Sequence, residues 1–107
     1  MFTRMVEVHT KPGKARELSN TVTDKVLNIL KKQPGFVDEI TLISNDNPDR
    51  VIALSFWQSE ADADRYQREQ FNHVNELVRP YTDQPPSIQT FNVDSSTSHR
   101  IAKGKAA

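Results

Sequence analysis

The nine residues Arg50-Val51-Ile52-Ala53-Leu54-Ser55-Phe56-Trp57-Gln58 constrain this chain more than any others. They are rich in β-branched and aromatic types. They lie between the turn cluster Asn45-Asp46-Asn47-Pro48-Asp49 and the helix-capping residue Ser59, so a strand is predicted. Side chains on a strand alternate between two faces. One face receives Val51, Ala53, Ser55 and Trp57, and the other Ile52, Leu54 and Phe56. A strand that is apolar on both faces needs cover on both. The neighbouring predicted strands repeat the pattern. In Phe36 to Ser44, alternation groups Phe36, Ile40 and Leu42 on one face against Val37 and Ile43. In Phe2 to His9 it sets Phe2, Val6 and Val8 against Met5.

Two helices and a fourth strand complete the order. From Lys14, apolar residues recur at Ala15, Leu18, Val22, Val26 and Ile29, one stripe of a helix that Gln33-Pro34-Gly35 ends. Ser59 caps a second helix, with Glu60, Asp62 and Asp64 near the positive end of its dipole, and this helix runs to about Val78. Gln84-Pro85-Pro86 is a rigid loop, and Ser87 to Val93 is predicted as the last strand. The order β-α-β-β-α-β defines an α+β, ferredoxin-like arrangement: a four-stranded antiparallel sheet with both helices on one face. Residues 1–94 form the domain, and 95–107 form a small, polar tail expected to be mobile.

Helices shield only one face of such a sheet. Each large apolar side chain left in water on the other forfeits ~1.5–3 kcal/mol. A second copy packed sheet against sheet is the expected cover, making a homodimer. The alternatives are a tail folded back as a lid, or a strand register displaced by one residue.

Composition narrows the function classes. A chain of 107 residues is one domain. Without cysteine there is no disulfide framework, thiolate metal site or cysteine nucleophile. Lys+Arg and Asp+Glu are equal at 14 each, and no strand interleaves aromatic with basic residues, so nucleic acid is not an expected partner. No apolar run approaches ~18 residues, so no membrane span is expected. The charged start Met1–Glu7 lacks a signal-peptide pattern, which points to the cytoplasm. The neutral total hides an asymmetry: seven basic and three acidic groups over 1–34 (+4), four and eleven over 35–94 (−7), and Arg100, Lys103 and Lys105 in the tail (+3). These segments either complement one another or form an ordinary solvated surface. With glycine only at 13, 35 and 104, no phosphate loop is present. No spacing suggests zinc, and a facial triad of His9, His73 and a carboxylate would need two distant histidines to converge, so no metal is expected.

The second helix carries the candidate chemistry. Ala63, Tyr66, Gln67, Gln70, Val74, Leu77 and Tyr81 form one stripe, with Phe71 and His73 on its margins. Tyr66 and His73 are two turns apart and point the same way. A phenol that donates a hydrogen bond and an imidazole that accepts a proton would line a pocket above the sheet; alternatively both are packing residues of the core and its boundary. Trp57 either stacks on a flat ligand or anchors the core with its indole N–H on a backbone carbonyl. His9 either enters the same cavity or is an exposed strand end. Arg4 either meets an anionic ligand or buries only its stem beside Val6. His99 is expected in solvent.

Lys11-Pro12-Gly13-Lys14 before a long helix, Pro34-Gly35-Phe36, and Phe56-Trp57-Gln58-Ser59-Glu60-Ala61 opening the second helix together resemble the antibiotic biosynthesis monooxygenase (ABM) domain family over about residues 2–93. The resemblance implies a dimeric α+β barrel. Some members of that family oxidise phenols or quinols with O₂ and no cofactor, some degrade haem, and others have no assigned reaction. The cofactor-free chemistry implies a dry pocket, a base and a hydrogen-bond partner for a small aromatic substrate. His73 and Tyr66 are the expected catalytic pair, with Trp57, Phe71 and His9 as substrate-binding residues; a non-catalytic barrel holding an apolar molecule is the alternative. Many members carry histidines where this chain has Tyr66 and Phe71. The strand asparagine, helix tryptophan and iron-ligating helix histidine of haem-degrading members fall at Val6, Tyr66 and Glu76, so the resemblance to that branch is weak.

Overall fold

A computed structural model describes residues 1–99. Strand β1 (Phe2–His9) leads through the Gly13 turn to a helical rod built of α1 (Ala15–Thr21), a wider π segment (Val22–Val26) and α2 (Leu27–Leu30). Strands β2 (Phe36–Ile43) and β3 (Arg50–Trp57) follow as a hairpin. Helices α3 (Glu60–Glu69) and α4 (Phe71–Val78) come next, with a 3₁₀ turn (Arg79–Tyr81) and strand β4 (Ser87–Asn92). All pairings are antiparallel and the strand order is β2-β3-β1-β4. This is the predicted ferredoxin-like α+β fold.

The core lies between the sheet and the helices. Phe2 and Val8 of β1 and Val51 and Trp57 of β3 meet Leu18, Val22, Val26 and Leu30 of the rod and Ala63, Tyr66, Val74 and Val78 of α3 and α4. Three local features depart from regular geometry. First, the buried stripe of the rod ends on Leu30 (3% exposed), while Ile29 is only partly buried. The π segment has wider turns than an α-helix, so steps of four residues stay in line from Val22 to Val26 to Leu30. Second, the register of β2 slips between Phe36 and Asp38. The bulge sends Phe36 to the helix side, where its ring meets Trp57 edge-on at 5.6 Å, and leaves Ile40 and Leu42 on the opposite face. The expected grouping of Phe36 with Ile40 and Leu42 is therefore corrected. Third, the predicted second helix breaks at Gln70 (φ −125°) into α3 and α4. Its buried residues are Ala63, Tyr66, Val74 and Val78, so the inward stripe of α4 ends on Val78, with Leu77 only partly buried.

The other sheet face carries Met5, Ile52, Leu54 and Phe56 with Ile40 and Leu42, and the last two are 40% and 46% exposed. Phe91 of β4 lies beside them, 47% exposed. His99 is not in open solvent: its ring lies 5.4 Å from Phe56, and its Nε2 is 3.7 Å from the Asp38 carboxylate. The basic tail residues Arg100, Lys103 and Lys105 lie outside the described residues. No helix among the described residues is long and apolar enough to cross a membrane.

Candidate functional site

A narrow cavity of about 80 Å³ runs between sheet and helices. Its floor follows β1 through the successive inward positions Arg4, Val6 and Val8, a span of roughly 13 Å at ~3.3 Å per residue. Its walls are mostly aliphatic: Leu18, Val22, Val26 and Leu30 from the rod, with Val51, Val74 and Val78. Asn75 and Pro86 border both this cavity and an outer hollow shared with Arg79, Thr82, Asp83 and Gln84. The cavity thus adjoins that hollow at the loop before β4, and Arg4 lies at the other end of the β1 floor, here called the inner end.

One polar row crosses that inner end. Arg4 of β1 pairs with Ser55 of β3, and Ser55 pairs with Glu39 of β2. All three face the helices and line the cavity, with Thr41 beside Glu39. Arg4 is 4% exposed. Its guanidinium donates to Gln67 Oε1 and lies 5.1 Å from the Tyr66 ring centroid and 5.0 Å from that of Phe71. Aromatic faces favour a cation, and burial pulls its pKa below the usual value. An arginine starts so high that it remains charged at neutral pH. Among the described residues no carboxylate forms an ion pair with it.

Glu39 is the other charged group of the row. Burial pushes its pKa up; a hydrogen bond from Thr41 (2.8 Å) opposes this, and Asp38 adds to it. A carboxylate with raised affinity for protons in an apolar cavity suits acid–base work. Tyr66 is pushed up to about 12, chiefly by burial, with Arg4 opposing. Its phenol therefore stays protonated at neutral pH and is available as a hydrogen-bond donor.

The predicted site residues divide. Tyr66 and Phe71 line the cavity together, their rings edge-on at 6.4 Å. Trp57 does not reach it: fully buried, it stacks behind Tyr66 at 5.1 Å and donates its indole N–H to Ser55 Oγ at 3.0 Å, where a backbone carbonyl was expected. His73 is exposed and is not a lining residue. The two-turn spacing from Tyr66 fails because the break at Gln70 interrupts the helix, after which Val74 takes the inward position. His9 lies on the opposite sheet face beside Glu7 at 3.3 Å. Sequence reasoning passed over Glu39, although it shares strand parity with Ile43, and underrated Arg4, which shares the inward parity of Val6 and Val8. A charge at a core-facing strand position was the available signal. Among the described residues no group of three or more histidines or carboxylates is placed to hold a metal ion. Haem does not fit either: the cavity is far too small, and Glu76, at the iron-ligand position of the haem-degrading branch, is exposed.

With fold and cavity established, the class follows. Residues 1–78 match the model of the antibiotic biosynthesis monooxygenase family, and the chain belongs to that family. The same fold recurs in solved structures. A candidate antibiotic biosynthesis monooxygenase from Bordetella bronchiseptica superposes with a TM-score of 0.75 at 16% identity, covering 86% of this chain and 95% of that one. SnoaB, a cofactor-independent oxygenase from Streptomyces nogalater, does so at 0.71 and 18%, covering 90% and 96%. A conserved protein from Methanosarcina mazei gives 0.69 at 24%, covering 85% and 91%. No curated protein matches the chain.

Proposed function

We propose that the chain is a cofactor-independent monooxygenase that oxidises a small phenolic or quinol compound with O₂. Family membership and the likeness to SnoaB support the class. The observation that carries the reading is the buried guanidinium of Arg4, in ion-pair contact with no carboxylate among the described residues, lining an apolar cavity with Glu39 two strands away across Ser55.

In this reading the phenol enters past Asn75 and Pro86. Glu39 accepts the phenolic proton, and Arg4 and the Tyr66 O–H stabilise the phenolate. The electron-rich anion passes one electron to O₂. The resulting radical and superoxide combine, forming a carbon–oxygen bond at ring carbon. Protonation by the Glu39 carboxyl gives a hydroperoxide, which loses the ring C–H proton and breaks its O–O bond to leave a quinone and one water. One phenol and one O₂ thus yield one quinone and one H₂O, with the substrate supplying every electron. The aliphatic walls exclude water from the charged intermediates.

Oxygen uptake across a panel of hydroquinones, naphthols and anthrones tests this. Glu39→Gln and Arg4→Met are each expected to lower kcat/KM by at least about 100-fold, the usual size of a general-base or charge-stabilising contribution. Activity kept in Glu39→Gln but lost in His73→Ala would return the base to His73. Binding without O₂ consumption on any substrate would leave a non-catalytic barrel. We further propose that the working unit is a homodimer closed through the uncovered sheet face.

A further inference from the structure

The cavity also limits what can enter it, and this step rests on the reading above only in treating the cavity as the substrate site. Two measures agree. An engineered apolar cavity of about 150 Å³ is filled by benzene, and drug-sized ligands occupy roughly 300–1,000 Å³. Here the space between sheet and helices is about 80 Å³, only partly closed where it adjoins the outer hollow at Asn75 and Pro86. It is a slot rather than a bowl, since its floor is a single strand's inward positions and its walls are branched aliphatic side chains of both helical units. A molecule of three or four fused rings lying wholly between sheet and helices would need α4 or the rod to move away from the sheet. Even a single ring needs the lining side chains to give way, and every further fused ring needs more.

Polarity is as uneven as shape. The middle is walled by Val6, Val8, Val22 and Val51, whereas the inner end presents Arg4. The guanidinium carries five N–H donors in a fixed fork; Gln67 Oε1 accepts one and the Tyr66 phenol oxygen is a second side-chain acceptor, which leaves donors for a ligand. The Tyr66 and Phe71 rings lie beside it, and the Asp64 carboxylate favours its charge from beyond ion-pair distance. A buried cation with no carboxylate in direct contact is costly, and an anionic ligand oxygen lowers that cost. Glu39 lies across Ser55, with no ion pair to Arg4.

We propose that this site selects a single-ring compound bearing one acidic oxygen, a phenol or enol bound as its anion with that oxygen on Arg4, and rejects the fused polycyclic compounds a wider pocket would accept. Arg4 is then the residue that determines specificity for charge, and the rod's valines determine it for size.

The probe is 4-nitrophenol, whose phenolate is coloured and which ionises near neutrality. It needs no O₂, so its binding is read independently of turnover. Spectrophotometric titration of the bound probe is expected to show its pKa depressed by about one unit, the size of shift a neighbouring cation imposes. Arg4→Met, which replaces the buried charge by an apolar chain of similar length, should abolish the depression; Arg4→Lys should keep part of it. The neutral isostere 4-nitroanisole should bind at least tenfold more weakly than the phenolate to the wild-type protein and equally to Arg4→Met. The two-ring 4-nitro-1-naphthol should bind at least tenfold more weakly than 4-nitrophenol. Thermal melting of both variants confirms that they fold. An unshifted or raised pKa, a shift that survives Arg4→Met, naphthol binding as tight as the phenol, or no binding at millimolar probe overturns the proposal. If the probe behaves as expected while no phenol or quinol drives O₂ uptake, the oxygenase reading fails and the binding specificity stands.

Discussion

Glu39 shows how one side chain ties the site to stability. Burial raises its pKa above the usual carboxylate range, so the folded chain holds this proton more tightly than the unfolded chain. Between the unfolded and the folded pKa the native state binds more protons, and stability falls as pH rises through that window. Above the window the ionised carboxylate destabilises the fold by a constant amount; below about pH 4 the penalty is absent. Glu39→Gln, which keeps the shape and removes the titration, should therefore melt higher than the wild type at pH 7 and converge with it at low pH. A melting series between about pH 4 and 8 measures this, and a variant less stable at pH 7 would mean that the carboxylate has a compensating partner. Glu7 has the opposite sign. The Arg50 guanidinium, 3.0 Å away, holds its carboxyl below the usual range. Its contribution is present above the unfolded pKa and fades as pH falls through the lowered one. The two glutamates lie on opposite sheet faces: burial disfavours the charge of Glu39, and Arg50 favours that of Glu7.

Elements were legible where local chemistry decides them. Ser59 caps α3 as expected, its Oγ accepting from the Asp62 N–H at 3.2 Å; Ser59→Ala should cost about 1 kcal/mol in denaturant unfolding. Gly35 ends the turn into β2 with φ +79°, and a Cβ there would lie 2.1 Å from an Asp62 carboxylate oxygen and 2.6 Å from its Cβ. Gly35→Ala should therefore lose about 2 kcal/mol or more, from left-handed backbone strain plus the clash. Part of that loss should return in an Asp62→Ala background, and a Gly35→Ala protein of wild-type stability would refute the strain. The features that escaped the sequence are set by packing across elements. Val22–Val26 has an ordinary helical pattern, and its π geometry brings Leu30 into line with the sheet. The bulge at Phe36/Asp38 places a ring against Trp57, a partner some twenty positions away in the chain. The break at Gln70 decided the candidate site. It let Tyr66 and Phe71 clasp Arg4 and turned His73 to solvent, and no local signal at Gln70 distinguishes it from the helical residues around it.

At the scale of the whole molecule, the unpaired feature is the outer sheet face. Alternation alone located it, because Ile52, Leu54 and Phe56 must oppose Val51, Ala53 and Ser55 whatever the loops do. His99 covers Phe56 at one end, yet Ile40, Leu42 and Phe91 stay 40–47% exposed. A contiguous apolar surface of this kind on a small domain marks an interaction site. The face is two-sidedly suited to self-association: its centre is aliphatic, and Glu7, His9 and Arg50 lie together at one end, so an antiparallel copy can lay apolar on apolar without burying those charges. The proposed homodimer follows, and it bears on the cavity. β1 and β3 contribute the cavity floor with one face and the outer surface with the other, so a partner would hold the row Arg4–Ser55–Glu39 rigid from behind. Leu42→Asp on the edge strand β2 puts a charge into that surface without touching the core. It should convert a dimer to a monomer in sedimentation analysis at micromolar concentration, while far-ultraviolet circular dichroism stays unchanged. The monomeric variant should also melt at a temperature independent of protein concentration, whereas the wild type should melt higher as concentration rises, by mass action. A wild type that sediments as a single chain, with concentration-independent melting, would leave the face without its proposed partner.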